Sequence, residues 1–216
     1  MFTIVSNPKL DSDHLEEATE ILGHTVAHPL ACLNWPEAFP EFPQVNFQIA
    51  HNGRVLFIRY NVKETSTRAL VTEDNGEVWT DSCVELFLAL DDSGYYNFEF
   101  SCIGKVLEGF HTDRFSGTRA SSDVLSSIGR WSSLGTENFG EISLPAPWQL
   151  TVAIPVTALF KHRLSNWGGI EARMNLYKCG NRLSRPHYLS WSPVRSPKPD
   201  FHRPEFFAKV RFLSVP

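Results

Sequence analysis

The chain has 216 residues, 42% of them hydrophobic and 20% charged, with a formal net charge of −4. A chain this long buries roughly 70% of its unfolded surface, so its core needs no help from metals or disulfides. The weak negative charge leaves no basic footprint for nucleic acid or an anionic membrane, and no apolar run approaches the ~18 residues of a membrane span.

The opening residues, Met1-Phe2-Thr3-Ile4-Val5-Ser6-Asn7, carry no basic segment ahead of a long apolar one. No signal peptide is therefore expected, which places the protein in the cytoplasm. Asp11-Ser12-Asp13 ahead of residues 14–22 predicts a capped helix ending at Gly23. Pro36, Pro40 and Pro43 then punctuate an irregular stretch lying against a sheet. Residues 45–50 and 54–63, separated by His51-Asn52-Gly53, read as a hairpin. Residues 83–90 and 95–102 read as two more strands joined by Asp91-Asp92-Ser93-Gly94, and another lies near 105–109.

Residues 111–147 are rich in Ser and Gly yet contain Ile128, Trp131 and Leu134, so they read as strands with long loops. A half-buried strand follows at 148–154, ended by Pro155 ahead of a helical turn at 156–160. The last strands are expected at 170–179, 187–191 and 206–212. Many short strands with turn signals and little helix predict an all-β fold. The expected architecture is an antiparallel two-sheet β-sandwich of jelly-roll type with a short N-terminal helix, one domain over residues 1–216. Cys32, Cys83, Cys102 and Cys179 have no zinc spacing and read as small, reduced core residues.

The period of two along each strand sorts side chains onto faces. Tyr96, Phe98, Phe100 and Cys102 point one way, and Tyr95, Asn97, Glu99 and Ser101 the other. With Val84, Leu86 and Leu88 in the core, Glu85 shares the outer face with Phe87. With Leu56, Ile58 and Tyr60 inward, Arg59 and Asn61 point out. With Met174 and Leu176 inward, Arg173, Asn175 and Tyr177 lie opposite. Together these give a concave face of amides, carboxylates and guanidinium groups, which can bond vicinal hydroxyls in pairs. Trp79, ahead of its strand beside Glu77, Thr80 and Asp81, is expected on a loop at the rim, where an indole can stack on a pyranose. Trp148 and Trp191 read as core. His187 and His202 read as structural histidines, since no second His or Cys stands at metal spacing.

Trp79-x-Asp81-Ser82-x-Val84-Glu85-x-Phe87 and Tyr95-Tyr96-x-Phe98-x-Phe100 resemble the family 9 carbohydrate-binding modules and their DOMON-like relatives. Leu189-Ser190-Trp191-Ser192 and Phe201-His202-Arg203-Pro204-Glu205-Phe206-Phe207 agree with that family's closing strands. Asn175-Leu176-Tyr177-Lys178-Cys179-Gly180 is similar to its bacterial stand-alone branch. The resemblance implies a sugar held between two aromatic platforms. The first falls on Trp79, the second on Phe201, and the hydroxyl-binding carboxylate on Glu85. The family's arginine on the Tyr-Tyr strand falls on Glu99, a reversal of charge, so a cation is expected from Arg59, Arg173, His202 or Arg203. The resemblance also implies that structural calcium is possible, with no ligands assigned.

The expected function is non-catalytic binding of a mono- or oligosaccharide by Trp79, Phe201 and Glu85, assisted by Asn97, Glu99, Asn175, Arg59 and Arg203. Two other readings stay open. Glu85 and Glu99 on neighbouring strands are a pair a retaining glycosidase could use, and a flat polar face could dock another protein.

Overall fold

The computed structural model describes residues 1–144 and 146–214. Its strands and helices run β1 (Phe2–Ser6), α1 (Leu15–Gly23), β2 (His28–Pro29), β3 (Cys32–Leu33), β4 (Gln44–His51), β5 (Val55–Lys63), β6 (Thr67–Ala69), β7 (Cys83–Ala89), β8 (Tyr95–Ser101) and β9 (Val106–His111). They continue with β10 (Gly117–Arg119), α2 (Ser122–Ser127), β11 (Gly129–Ser132), β12 (Phe139–Ile142), β13 (Trp148–Pro155), β14 (Glu171–Cys179), β15 (Tyr188–Ser190) and β16 (Ala208–Phe212). Among the described residues, no helix is long and apolar enough to cross a membrane.

One layer has the order β10-β9-β8-β7-β14-β16 and the other β4-β5-β13-β11. The expected all-β sandwich is present, but its two layers are one hydrogen-bonded sheet folded over. The joint is β1, which the sequence reading missed. Phe2–Ile4 pairs with β16 and Val5–Ser6 with β4, both in parallel, while the other ladders are antiparallel. Only two or three residues of β1 touch each layer, too few for a clear period of two.

The alternation then fixes the core. Ile58 and Tyr60 of β5, Leu86 and Leu88 of β7, Tyr96 and Phe98 of β8, Val152 of β13 and Met174 and Leu176 of β14 meet between the layers, all fully buried. The Asn52-Gly53 turn joins β4 to β5. Gly53 has φ +99°, and Asn52 Oδ1 accepts from the Arg54 and Val55 amides at 3.0 and 2.8 Å. Helix α1 covers the outer face of the second layer by packing Ala18 and Leu22 on Phe57 and Ala153. The cap expected from Asp11-Ser12-Asp13 differs. His14 is the N-cap without a side-chain bond, and Asp11 instead accepts from the Asp13 amide and from His14 Nδ1.

The outer face of the first layer is not the open polar surface expected. The stretches around residues 35–39, 78–79, 188–194 and 201–207 fold over it and build a second aromatic cluster of Trp35, Phe87, Tyr95, Tyr177, Phe201 and Phe207. Trp35 Nε1 donates to the Ser196 carbonyl at 2.8 Å, which pins the link between the last two of these stretches to the first. The physical reason is the aromatic content: Phe87, Tyr95 and Tyr177 are too apolar to stand in water, so the loops cover them.

Candidate functional site

Where the covering loops stop short, a cavity of about 370 Å³ remains over β7, β8 and the end of β14. That size falls in the ~300–1,000 Å³ range of small-molecule sites. Its floor is Glu85, Phe87, Asn97, Glu99 and Cys179. Strand register puts them there, because Glu85 lies directly opposite Glu99 and Phe87 opposite Asn97 across β7 and β8. Cys179 on β14 faces Cys83 on β7.

The walls come from farther along the chain. Trp79 stands half-buried on a 3-10 turn, Val78–Thr80, at the mouth of β7. The turn is held tightly, as buried Asp81 accepts from the Leu70 and Val71 amides at 2.8 and 2.7 Å and from Arg68 Nε at 3.1 Å. The Asn181 amide donates to the Trp79 carbonyl at 3.1 Å and brings the loop after β14 against it. Asp200, Phe201 and His202 form a second wall, and the β9–β10 ribbon adds His111, Arg114 and Arg119.

Burial sets the electrostatics. Glu85 is 2% exposed, and desolvation first, then neighbouring Cys179 and Glu99, pushes its carboxyl well above the usual carboxylate range. Its Oε1 accepts from Cys179 Sγ at 3.1 Å. Burial likewise pushes Glu99 up to about 7, against the hydrogen bond from Asn97 Nδ2 at 2.8 Å and the charge of Arg119. His202 is driven down to about 3 by burial and by His111, Arg114 and Arg119, and its Nδ1 meets the Tyr95 hydroxyl at 2.9 Å. Burial also lowers His111.

Several polar atoms here have no protein partner: Asn97 Oδ1, Glu99 Oε2 and both ring nitrogens of His111. Arg114 is paired with Asp200. Arg119, by contrast, has no side-chain hydrogen bond or ion pair among the described residues and lines the same cavity. Buried polar groups are nearly always bonded, so such a concentration of free acceptors and donors marks a place built for a hydrogen-bonding ligand.

Of the residues expected at the site, Trp79, Glu85, Asn97, Glu99 and Phe201 meet in this cavity. Phe201 is not an open platform, however. It is 9% exposed, with its ring stacked on Tyr177 at a centroid distance of 4.0 Å. Arg59 lies on the outer face of the other layer, bonded to Gln48 and tucked beside Gly23 of α1. Asn175 is on the correct face of β14, but its amide is used up on the backbone of Ser192. Arg203 pairs with Glu205 and lies over the Phe206 ring, and Arg173 pairs with Asp92. Among the described residues lining the cavity, the cation without a partner is the exposed Arg119, which sits in a Ser- and Gly-rich stretch without periodicity. His111 was within reach, since continuing the alternation of Leu107 and Gly109 puts it on the floor's face.

The triad of Cys83, Glu85 and Cys179 is not a calcium ligand set. Among the described residues, the sole convergence of three His, Cys, Asp or Glu side chains is Cys83, Glu85 and Cys179. Calcium takes six to eight oxygens, and two sulfurs are the wrong donors for it.

The profile of carbohydrate-binding family 9 matches residues 18–212 of this chain. A Bacteroides uniformis protein provisionally described as carbohydrate-binding is 38% identical in sequence. The match covers 98% of this chain and 97% of that one, with a TM-score of 0.89. Two structures of a family 9 module from Caldicellulosiruptor kristjanssonii share the fold. The complex with cellotriose has 9% identity, coverage of 100% and 94% and a TM-score of 0.57. The complex with glucose has 11% identity, coverage of 99% and 97% and a TM-score of 0.54. No curated protein matches the sequence.

Proposed function

The chain belongs to carbohydrate-binding family 9, and from that premise we propose that its cavity binds a mono- or oligosaccharide without chemistry. Trp79 is the stacking platform, and Phe201 lends an apolar wall. Asn97, Glu99, Glu85 and Arg119 take the hydroxyls. The observation carrying this reading is a half-exposed tryptophan beside two unpartnered acceptors, Asn97 Oδ1 and Glu99 Oε2, in one cavity. A sugar hydroxyl is the donor such acceptors lack. One ring platform and a few hydrogen bonds, some of them charge-assisted, predict a Kd in roughly the μM to mM range.

Calorimetry against a panel of neutral, acidic and amino sugars tests this, with Trp79→Ala as the control. Saturable binding that disappears in the variant at unchanged melting temperature supports the site. Binding that survives in Trp79→Ala, or no binding across the panel, removes it.

A second reading has one observation in its favour, the direct opposition of Glu85 and Glu99. Cβ atoms of such cross-strand pairs lie about 4.5–5.5 Å apart, close to the carboxyl spacing of retaining glycosidases. Turnover of an aryl glycoside that is lost in Glu85→Gln would favour that chemistry over binding alone.

A further inference from the structure

At the cavity floor and just beneath it stand two thiols that sugar recognition does not use. Cys83 and Cys179 face each other across β7 and β14, and both sulfurs turn toward Glu85 Oε1, at 3.9 and 3.1 Å. The three donor atoms lie within 4.8 Å of one another, and all three residues are buried. From this convergence we propose that Cys83, Cys179 and Glu85 form a three-ligand site for a thiophilic divalent cation of the zinc and cadmium class, open to the cavity.

The dimensions suit that class of ion. Sulfur at about 2.3 Å and oxygen at about 2.0–2.2 Å from a tetrahedral zinc stand roughly 3.5–3.8 Å from each other. The sulfur–oxygen distances of 3.1 and 3.9 Å bracket that spacing, and the two sulfurs lie within 4.8 Å of each other. Cys179 and Glu85 line the cavity, which supplies both an entry path and a fourth position for water. Three protein ligands with one open position is the layout of zinc sites that engage a further molecule, as distinct from closed four-ligand structural sites.

The charge balance favours the ion as well. Without a cation, burial works against an anion at Cys83 or Glu85, and Lys178 offsets this only in part. A dication removes that obstacle, since a coordinating thiol is deprotonated outright. Binding therefore releases protons from the ligands. The neighbouring Lys178 does not compete, because its ammonium is already paired with Glu64 at 2.7 Å. The metal site shares Glu85 with the sugar reading but keeps its own readout, since a Cd²⁺ titration contains no sugar.

The test is titration of the reduced, full-length protein with Cd²⁺ alone, following sulfur-to-cadmium charge-transfer absorbance and calorimetric stoichiometry. The expected result is one ion per chain, with absorbance lost in Cys83→Ser and in Cys179→Ser and retained in the Cys32→Ser/Cys102→Ser double variant. Glu85→Gln, nearly isosteric and less disruptive to folding, should keep the absorbance but weaken affinity by at least the roughly 10–100-fold that loss of an outer-shell partner costs. No charge-transfer absorbance in the wild type overturns the proposal. So does absorbance that persists in both single serine variants, or unchanged affinity in Glu85→Gln.

Discussion

Glu99 is the residue on which binding should turn with pH. Burial pushes its carboxyl up to about 7, so it changes charge near neutrality. An ionised carboxylate makes the stronger bonds to hydroxyl donors, about 1.5–3 against 0.5–1.5 kcal/mol for neutral partners. Sugar affinity is expected to fall several-fold between about pH 8 and about pH 6, and Glu99→Gln should flatten that profile in calorimetry. Glu108 gives a second prediction, this time on stability. It is fully buried in the first layer, neither carboxyl oxygen has a partner, and burial pushes its pKa from 4.5 up to about 8. The folded state thus holds the proton more tightly than the unfolded one, and the carboxyl destabilises the fold progressively as pH rises from 4.5 to about 8. Glu108→Gln should raise the melting temperature at pH 8 and leave it nearly unchanged at pH 4.5, as a pair of thermal melts would reveal.

Among the elements, the β8–β9–β10 ribbon decides the shape of the cavity's polar side, and its glycines do so by taking no space. Gly109 lies directly opposite Asn97. A Cβ there would come within 2.8 Å of Asn97 Oδ1 and 2.9 Å of His111 Nε2. At Gly117 it would meet the His111 ring at 2.5 Å. Gly109→Ala should displace the Asn97 amide and the imidazole together. The expected outcome is a several-fold loss of sugar affinity in calorimetry, with a stability change of about 1–3 kcal/mol in urea unfolding, the usual penalty for overpacking. Much of the neighbouring β7–β8 pair was legible in advance: the sequence placed Glu85, Asn97 and Glu99 on one face by alternation alone. β10 was not, because a three-residue strand inside a Ser- and Gly-rich stretch has no period to read.

At the scale of the whole molecule, the two layers are tied by a buried polar group as well as by β1. Glu64, just after β5, pairs with Lys178 of β14 at 2.7 Å and accepts from Trp148 Nε1 of β13 at 2.8 Å, and His187 closes the set. Burial works against the Glu64 carboxylate, but Lys178 and His187 outweigh it and hold its pKa at about 2. A depressed folded pKa contributes stability that is present above 4.5 and lost as pH falls toward 2, so acid unfolding should begin within that window. Lys178→Met leaves the carboxylate buried without its ammonium partner, an expected loss of about 3–5 kcal/mol in urea unfolding. The Glu64→Gln/Lys178→Met double variant should recover much of it, since no uncompensated charge remains.

The sequence by itself determined the all-β class and the faces of the longer strands, because a side-chain period of two and turn residues act within a few neighbours. It also placed Trp79 at the rim and put Glu85 and Glu99 on one face of neighbouring strands, while the register that sets them directly opposite came from the structure. What only the tertiary structure decided depends on distant segments. Folding of residues 188–207 over the first layer turned an open face into a cavity and covered one side of Phe201 with Tyr177. The fold sent Arg59 to the opposite layer and brought Arg119 to the site in its place. It also set Cys83 beside Cys179, 96 positions apart in the chain, through the pairing of β7 with β14. No local period carries such information; it arises when apolar rings that cannot stay in water select which loops cover them.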